Sequence, residues 1–159
     1  MGRMKPADLE EFLQKPIIGV LATLRRDGRP YTVPVFWLRK DGYFWLTGTT
    51  TRVWCKQLLR DPRCSLCIET MDPFPAHAEV DGRAEALKLP AFDIWPIHDE
   101  LAEKYLGGGR ISGAGSIEQM KAVWRTEPRM LFRITPEVWR AIDLRVYRGK
   151  RADQAYQGQ

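Results

Sequence analysis

Residues 17–39 read IIGVLATLRRDGRPYTVPVFWLR, two apolar runs separated by a short polar turn. Val, Ile, Tyr, Phe and Trp favour strands, and Asp-Gly between two such runs is typical of a β-hairpin. The first run is predicted as a strand over 17–24 and the second as a strand over 30–39. Pro30 and Pro34 lack an N–H donor, which puts the second strand at the edge of a sheet, at a bulge, or against something other than a neighbouring strand.

More strand signals follow this hairpin. Lys40-Asp41-Gly42 repeats the turn, so a third strand is expected to continue the first two as a meander. Hairpin spacing, with one short helix between the third and fourth strands, favours a mostly antiparallel sheet curled into a barrel with helices outside. The further strands are predicted at 43–48, 63–69, 76–87, 130–135 and 138–143.

Helices are predicted from apolar residues at helical spacing and from N-cap residues. Thr50 or Thr51 is expected to cap the helix that starts at Arg52, and Ser116 with Gln119 has the spacing of a capping box. The predicted helices cover 7–13, 52–60, 93–106 and 117–126.

Composition fits one globular domain. The chain has 159 residues, of which 44% are hydrophobic and 11% aromatic. We expect the domain to span 1–143 and a basic, flexible tail to follow over 144–159.

The net charge of +5 favours an anionic partner, and no apolar run is long enough to span a membrane. A cytoplasmic protein with three reduced cysteines is therefore expected.

Three motifs that suggest other chemistry have simpler structural explanations. Cys64 and Cys67 lie three apart in a predicted strand, where side chains alternate between faces, so neither a redox pair nor half a zinc site is expected. The glycine-rich segment 107–116 lacks the lysine and the preceding strand of a phosphate loop, and it is predicted as a connection or lid. His98 is interpreted as a surface or capping residue, whereas His77 lies inside a strand and stays a candidate. No metal site and no hydrolytic triad are expected from these two histidines.

The stretch 47–63, TGTTTRVWCKQLLRDPR, combines three features of an anion site. Threonine hydroxyls precede a helix start, the helix start exposes free N–H groups, and two basic residues repeat at i, i+4. An ordinary capped helix with a solvated basic face explains the pattern about as well. Nucleic-acid binding is a less favoured third interpretation, because carboxylates interleave with the basic residues. The residues concerned are Thr47, Thr49, Thr50, Thr51, Arg52 and Lys56.

Three segments together resemble a known family: GVLATLRRDGRPYTVPVFW (19–37), YFWLTGTTTRVWCKQLLRDPRCSLCI (43–68) and AEVDGRAEAL (78–87). They are similar to the pyridoxamine-phosphate-oxidase-like split barrels, especially the flavin and deazaflavin (F420) oxidoreductase branch. The resemblance implies a mainly β (α+β) fold, a six-stranded antiparallel split β-barrel with peripheral helices. It also implies a homodimer that holds a flavin-like cofactor in a groove between the subunits.

The family template implies roles for particular residues. The second strand would line the cofactor ring mainly with backbone, the threonine-rich turn would hold the phosphate, and His77 would contact the cofactor. Trp139 would be offered by the second subunit. Trp54 stands where relatives usually carry a phosphate-binding lysine, so Arg52 or Lys56 is expected to compensate. The cofactor-binding candidates are Val33, Pro34, Val35, Thr47, Thr49, Thr50, Thr51, Arg52, Lys56, His77 and Trp139.

The function implied is hydride transfer from reduced coenzyme F420 to an unsaturated small molecule such as an enone, a quinone or a tetrapyrrole. The alternatives are an FMN-dependent oxidoreductase of the same fold and a carrier that binds a flavin, haem or tetrapyrrole without turnover. The basic excess favours F420, because it can meet the polyglutamate tail of that coenzyme. No catalytic acid or base is assigned, since the cofactor supplies the reactivity.

Overall fold

The structure is a computed structural model that describes residues 4–72, 74–107 and 116–143. Within these ranges the chain forms four helices and seven strands in α+β order. The helices are α1 (Pro6–Gln14), α2 (Val53–Arg60), α3 (Trp95–Leu106) and α4 (Ile117–Thr126). The strands are β1 (Gly19–Leu24), β2 (Pro30–Val35), β3 (Trp37–Lys40), β4 (Tyr43–Thr49), β5 (Arg63–Thr70), β6 (Ala76–Leu87) and β7 (Arg129–Asp143).

The strands form one antiparallel sheet in the order β2-β1-β5-β6-β7-β4-β3. The resemblance implied six strands, and the structure has seven, the number predicted from the residues. Their bounds differ, because the strand expected over 30–39 breaks at Phe36 into β2 and β3. At the other end of the chain, the two strands expected over 130–143 are one strand, β7. Pro136 does not interrupt it, because Gly82 pairs with Pro136 and Asp81 with Val138, which leaves Glu137 as the extra residue of a bulge.

The sheet is curled, and the position of Phe36 shows why. β2 and β3 lie at opposite edges of the sheet, yet only Phe36 separates them along the chain. The two edges must therefore lie close together, as in a barrel that is split between them. Both hairpins of the expected meander are present, since β1 pairs with β2 and β3 with β4, but the break at Phe36 places the two hairpins at opposite edges of the sheet. Both prolines of β2 lie on an edge strand, as predicted.

A tyrosine fills the gap at the break. Trp37 donates its backbone N–H to the hydroxyl oxygen of Tyr105 (3.1 Å), and that hydroxyl lies 3.0 Å from the carbonyl oxygens of Ile17 and Trp37. The indole N–H of Trp37 donates to the Ile17 carbonyl (2.7 Å). Side-chain hydrogen bonds thus satisfy backbone groups that have no neighbouring strand at this point.

The described residues leave most of one face of the sheet uncovered. The registers of β1, β5, β6 and β7 place alternate side chains on this side, and we call it the outer face. Its members are Val20, Ala22, Ser65, Cys67, Glu69, His77, Glu79, Asp81, Val138, Arg140 and Ile142, of which Ile142 is buried. Val20 and Val138 are 41% and 48% exposed. Arg140 bonds Glu79 (2.8 Å) and Asp81 (3.0 Å) across the strands.

The helices α3 and α4 pack against each other on the other side of the molecule. Arg125 pairs with Asp99 (2.9 Å) and Lys121 with Glu103 (2.9 Å) between them. The predicted capping box of α4 is confirmed, since Ser116 and Gln119 bond each other's backbone N–H groups. None of the described helices is long and apolar enough to cross a membrane. The predicted tail over 144–159 and residues 108–115 of the glycine-rich segment lie outside the described residues.

Candidate functional site

A cavity of about 350 Å³ opens where the end of β2, the end of β4, the start of α2 and one face of α4 meet. Most of its wall is apolar or aromatic, and its polar groups come from three residues. This composition, an apolar wall with a few convergent polar groups, is typical of ligand sites. The lining residues are Ile18, Pro34, Val35, Phe36, Thr47, Arg52, Trp54, Met120, Trp124 and Arg129.

The threonine-rich turn is built into the wall of this cavity by backbone hydrogen bonds. Thr50 donates its N–H to the Pro128 carbonyl (3.1 Å), and Arg52 donates to the Thr49 carbonyl (3.1 Å). Arg52 is extended and itself occupies the N-cap of α2, so the prediction that Thr50 or Thr51 caps the helix is wrong. The hydroxyls of Thr49 and Thr51 instead lie 3.0 Å apart and bond each other.

Four of the eleven predicted cofactor-binding residues line the cavity together: Pro34, Val35, Thr47 and Arg52. Arg52 is exposed and lies at the rim, and Thr47 is partly buried. The structure therefore brings together the second strand and the threonine-rich turn, which are separate segments of the sequence.

The other seven predicted residues do not line this cavity. Thr49 is buried, Thr50, Thr51 and Lys56 are exposed, and Val33 is partly buried on β2. His77 lies on the outer face, with Nε2 3.9 Å from the Glu79 carboxylate. The ring of Trp139 packs on Phe44 of its own chain (centroids 5.3 Å apart) and under the Arg39 guanidinium (5.2 Å), on the inner side of β7.

Arg129, at the start of β7, is a cavity residue that the sequence analysis missed. Its side chain is only 8% exposed, and its Nε donates to the Glu127 carboxylate (2.7 Å). Its NH1 group donates to the Thr47 hydroxyl (3.3 Å), and its guanidinium lies 4.9 Å from the centre of the Trp124 ring. A guanidinium held on three sides in this way loses little side-chain entropy when an anion binds. Its sequence context gives no signal, because only the pairing of β4 with β7 brings it to Thr47.

His98, on α3, lies behind the cavity and is fully buried, so its interpretation as a surface or capping residue is wrong. Its ring packs between Trp95 (5.3 Å) and Trp124 (5.9 Å), and both ring nitrogens lie 3.2 Å from the Thr47 hydroxyl oxygen. Burial, and secondarily the charge of Arg129, lower the pKa of His98 to about 4, so the ring is neutral at pH 7. Ile94 at the N-cap of α3, His98 and Leu101 lie on the same side of the helix. Their spacing of four and three residues is the sequence signal that indicates burial of His98.

Trp54, at the position where the resemblance implies a lysine, is packed into the core. Its side chain is 3% exposed and its ring packs on Phe132 (5.3 Å). Gly48 makes room for it, because a Cβ at that position would lie 2.7 Å from the Trp54 ring and 2.4 Å from the Cys55 sulfur. Trp54 is thus a fixed apolar wall, and the cations of the cavity are Arg52 and Arg129.

The electrostatics of the site favour an anion. The lining contains two arginines and no carboxylate; Glu127 neutralises the charge of Arg129, so the net positive charge of the site comes from Arg52 and Arg129 contributes mainly as a hydrogen-bond donor. Among the described residues no group of three or more His, Cys, Asp or Glu side chains is placed to hold a metal ion. The three cysteines are free thiols, and the Cys64 and Cys67 side chains alternate in burial along β5, as predicted.

Fold and site together define a split-barrel protein with a cationic, aromatic cavity at the junction of its sheet edges. The family profile of pyridoxamine 5′-phosphate oxidase matches residues 6–143, and the chain belongs to that family. Among curated proteins no significant match was found.

Solved structures extend this likeness. A conserved hypothetical protein from Mycobacterium tuberculosis is 25% identical, with a TM-score of 0.74 over 89% of this chain and 86% of that one. An F420 reductase is 22% identical, with a TM-score of 0.62 over 82% of this chain and 94% of that one. The haem storage protein HutZ from Vibrio cholerae is 17% identical, with a TM-score of 0.66 over 89% and 94%. The last two likenesses concern the fold alone.

Proposed function

We propose that this protein is an oxidoreductase that transfers a hydride from reduced coenzyme F420 to an unsaturated small molecule such as an enone, a quinone or a tetrapyrrole. The observation that carries the proposal is the cavity in which Thr47, Arg52 and Arg129 converge beside the end of β2. Hydrogen bonds from charged donors to a phosphate contribute about 1.5–3 kcal/mol each, which is enough to anchor a cofactor.

The residues present fit the phosphate end of such a cofactor. The cavity of about 350 Å³ is at the lower end of the range for drug-sized ligands, so it suits only part of a flavin or deazaflavin nucleotide. The polar groups lie at Thr47, Arg52 and Arg129, where a phosphate would be held. Val33, Pro34 and Val35 continue from the cavity wall along an edge strand, and we assign them to the ring system.

When bound, the coenzyme supplies the hydride, and the chain supplies position and shielding from water. Trp54, Trp124 and Met120 make the apolar wall that excludes water from the cavity. Thr47 and the two arginines orient the anionic end. The lining contains no histidine and no carboxylate, and the mechanism requires neither of them as acid or base.

The outer face supports the further proposal of a homodimer that completes the site. Val20 and Val138 are exposed on a sheet face whose one arginine, Arg140, is paired with Glu79 and Asp81. Exposed valines beside side chains that are already paired suit contact with a second copy of the chain. His77 lies on the same face, which keeps it available as a cofactor contact in a groove between two subunits.

F420 is preferred over FMN because of charge. The chain carries 25 Lys and Arg against 20 Asp and Glu, and the phosphate end of F420 continues into a string of carboxylates. Arg52, exposed at the cavity rim, lies where such a tail would leave. The fold-level likeness to an F420 reductase agrees with this choice.

A turnover assay separates this proposal from its alternatives. Protein loaded with reduced F420 should reoxidise it faster than free coenzyme in the presence of at least one enone, quinone or tetrapyrrole. The same panel is run with reduced FMN as the competing cofactor. Faster turnover with FMN favours the FMN-dependent alternative, whereas tight binding of haem or a flavin without any acceleration favours a carrier.

A further inference from the structure

Thr47 is the one cavity residue whose hydroxyl is contacted from behind by two other polar side chains. Arg129 donates to its oxygen (3.3 Å), and both ring nitrogens of His98 lie 3.2 Å from it. His98 has no exposed surface, and its ring is fixed between Trp95 and Trp124. The only hydrogen-bonding contact of the described residues between His98 and the cavity lining is therefore the one with Thr47.

We propose that His98 is a positioning residue that, together with Arg129, fixes the Thr47 hydroxyl as a hydrogen-bond donor to an anionic group in the cavity. This inference rests on the proposed function, in which that anionic group is the cofactor phosphate. The inference goes beyond the proposed function, because it assigns a role to a histidine that touches neither cofactor nor substrate.

The direction of the hydrogen bonds follows from what each group can do. A hydroxyl has one proton and two lone pairs, and a guanidinium can only donate. A neutral imidazole carries one N–H and one lone pair. Both nitrogens of His98 are equally distant from the Thr47 oxygen, so that oxygen faces the Cε1 edge of the ring, and a rotation of the ring is needed to aim one N–H at it. When Arg129 and His98 occupy both lone pairs, the Thr47 proton is directed to the occupant of the cavity.

The surroundings of His98 keep it in the neutral form that this role uses. Burial removes water from the ring, and the charges of Arg129 and Arg125 also oppose its protonation, whereas Asp99 favours it. The pKa of His98 is lowered to about 4 by the sum of these effects. A neutral ring keeps one N–H, and an anion in the cavity favours the ring orientation in which that N–H donates to Thr47.

A double-mutant cycle on wild-type chain, His98→Phe, Thr47→Val and the double variant tests the inference. Phenylalanine keeps an aromatic ring between Trp95 and Trp124 but has no nitrogen, and valine keeps the shape of Thr47 but has no hydroxyl. The probes are F420 and its deazaflavin chromophore without the phosphate, with affinities measured by fluorescence titration. Each single variant should weaken F420 about tenfold, the double variant should be no weaker than Thr47→Val alone, and the chromophore should bind all four proteins alike.

A structural role for His98 gives a different pattern. If His98→Phe weakens the chromophore as much as F420, or if the two substitutions add to about a hundredfold, the positioning role is overturned. If the wild-type chain binds F420 and His98→Phe leaves its affinity unchanged, this inference fails while the proposed function stands. If the wild-type chain binds neither F420 nor FMN, both fail.

A measurement on the wild-type protein covers the case in which a variant does not fold. The ¹⁵N resonances of the His98 ring report which nitrogen carries the proton. Binding of F420 should shift these resonances, and binding of the phosphate-free chromophore should not. Unchanged resonances at saturating F420 would overturn the inference without any substitution.

Discussion

Arg129 differs from the other arginines near the cavity because its charge is buried and already held in place. Its side chain is 8% exposed, whereas Arg125, on α4, is exposed and pairs with Asp99 at the surface. An exposed ion pair contributes little to binding or stability, but a preorganised guanidinium facing an anion contributes strongly. We therefore predict that Arg129 supplies a large part of the affinity for the phosphate.

Arg129→Met is predicted to weaken F420 binding roughly ten- to a hundredfold, because a charge-assisted hydrogen bond of about 1.5–3 kcal/mol is lost. Arg125→Met is the matched control and should leave the affinity within about twofold. Fluorescence titration measures both. Equal losses in the two variants would indicate a diffuse basic surface rather than a defined anion site.

His98 makes a second prediction, on stability. Its pKa is about 4 in the folded chain and about 6.5 when unfolded, so the unfolded chain binds the proton more tightly. Stability is therefore complete above about pH 6.5 and falls as the pH is lowered to about 4, by on the order of 3 kcal/mol. Urea unfolding at a series of pH values measures this loss.

His98→Phe is the test variant for the pH effect, since phenylalanine has no titrating group. Its stability should be nearly independent of pH between about 4 and 6.5. A variant that kept the full wild-type slope would show that another group causes it.

Some residues of the site are indicated by the local sequence, whereas others reach it only because two strands pair. Thr47 and Arg52 belong to one continuous motif of hydroxyls before a helix, so the sequence was sufficient to select them. Arg129 joins them because β7 pairs with β4, with Thr49 opposite Arg129. No pattern within the segment 124–130 indicates that contact.

At the scale of elements, most helices and strands follow from local signals, and the exceptions have identifiable causes. β6 and α4 have the predicted bounds, because alternation and a capping box mark them clearly. The break at Phe36 depends on Tyr105, a residue 68 positions away whose hydroxyl bonds the backbone of Trp37. The continuity of β7 through Pro136 depends on a bulge opposite Gly82. Neither cause is local, so neither was available from the sequence pattern.

The contact between β4 and α2 gives a prediction at this scale. Gly48→Ala should destabilise the fold by about 1–3 kcal/mol, because a Cβ at Gly48 lies 2.4 Å from the Cys55 sulfur and 2.7 Å from the Trp54 ring. The displaced helix start carries Arg52, so F420 affinity should fall as well. Denaturant unfolding and fluorescence titration measure the two effects.

Adding Cys55→Ala to Gly48→Ala removes the sulfur atom that the new Cβ would contact. The double variant should therefore regain part of the stability lost in Gly48→Ala. The exposed turn residue Thr50 offers a control, since Thr50→Ala should change stability by less than about 0.5 kcal/mol. Full stability in Gly48→Ala would contradict the packing described for α2.

At the scale of the whole molecule, the proposed dimer would bury the outer face. Val20→Asp and Val138→Asp should each dissociate the dimer, because they place an unpaired charge in an apolar interface, and cofactor binding should be lost with it. Leu59→Asp, on α2, is the control, since Leu59 is 56% exposed but lies away from the outer face. Sedimentation of the F420-loaded protein at low micromolar concentration measures the mass. A monomer that still holds F420 would contradict the shared site.

The most direct test of the central claim is a fluorescence titration of the wild-type chain with F420, its phosphate-free chromophore and FMN at several salt concentrations. F420 should bind most tightly at low salt, and loss of the phosphate should lower the affinity at least tenfold. The affinity for F420 should fall as salt rises, because its carboxylate tail lies in screened solvent. Tighter binding of FMN than of F420 at every salt concentration, or equal affinity for F420 and its phosphate-free chromophore, would contradict the central claim.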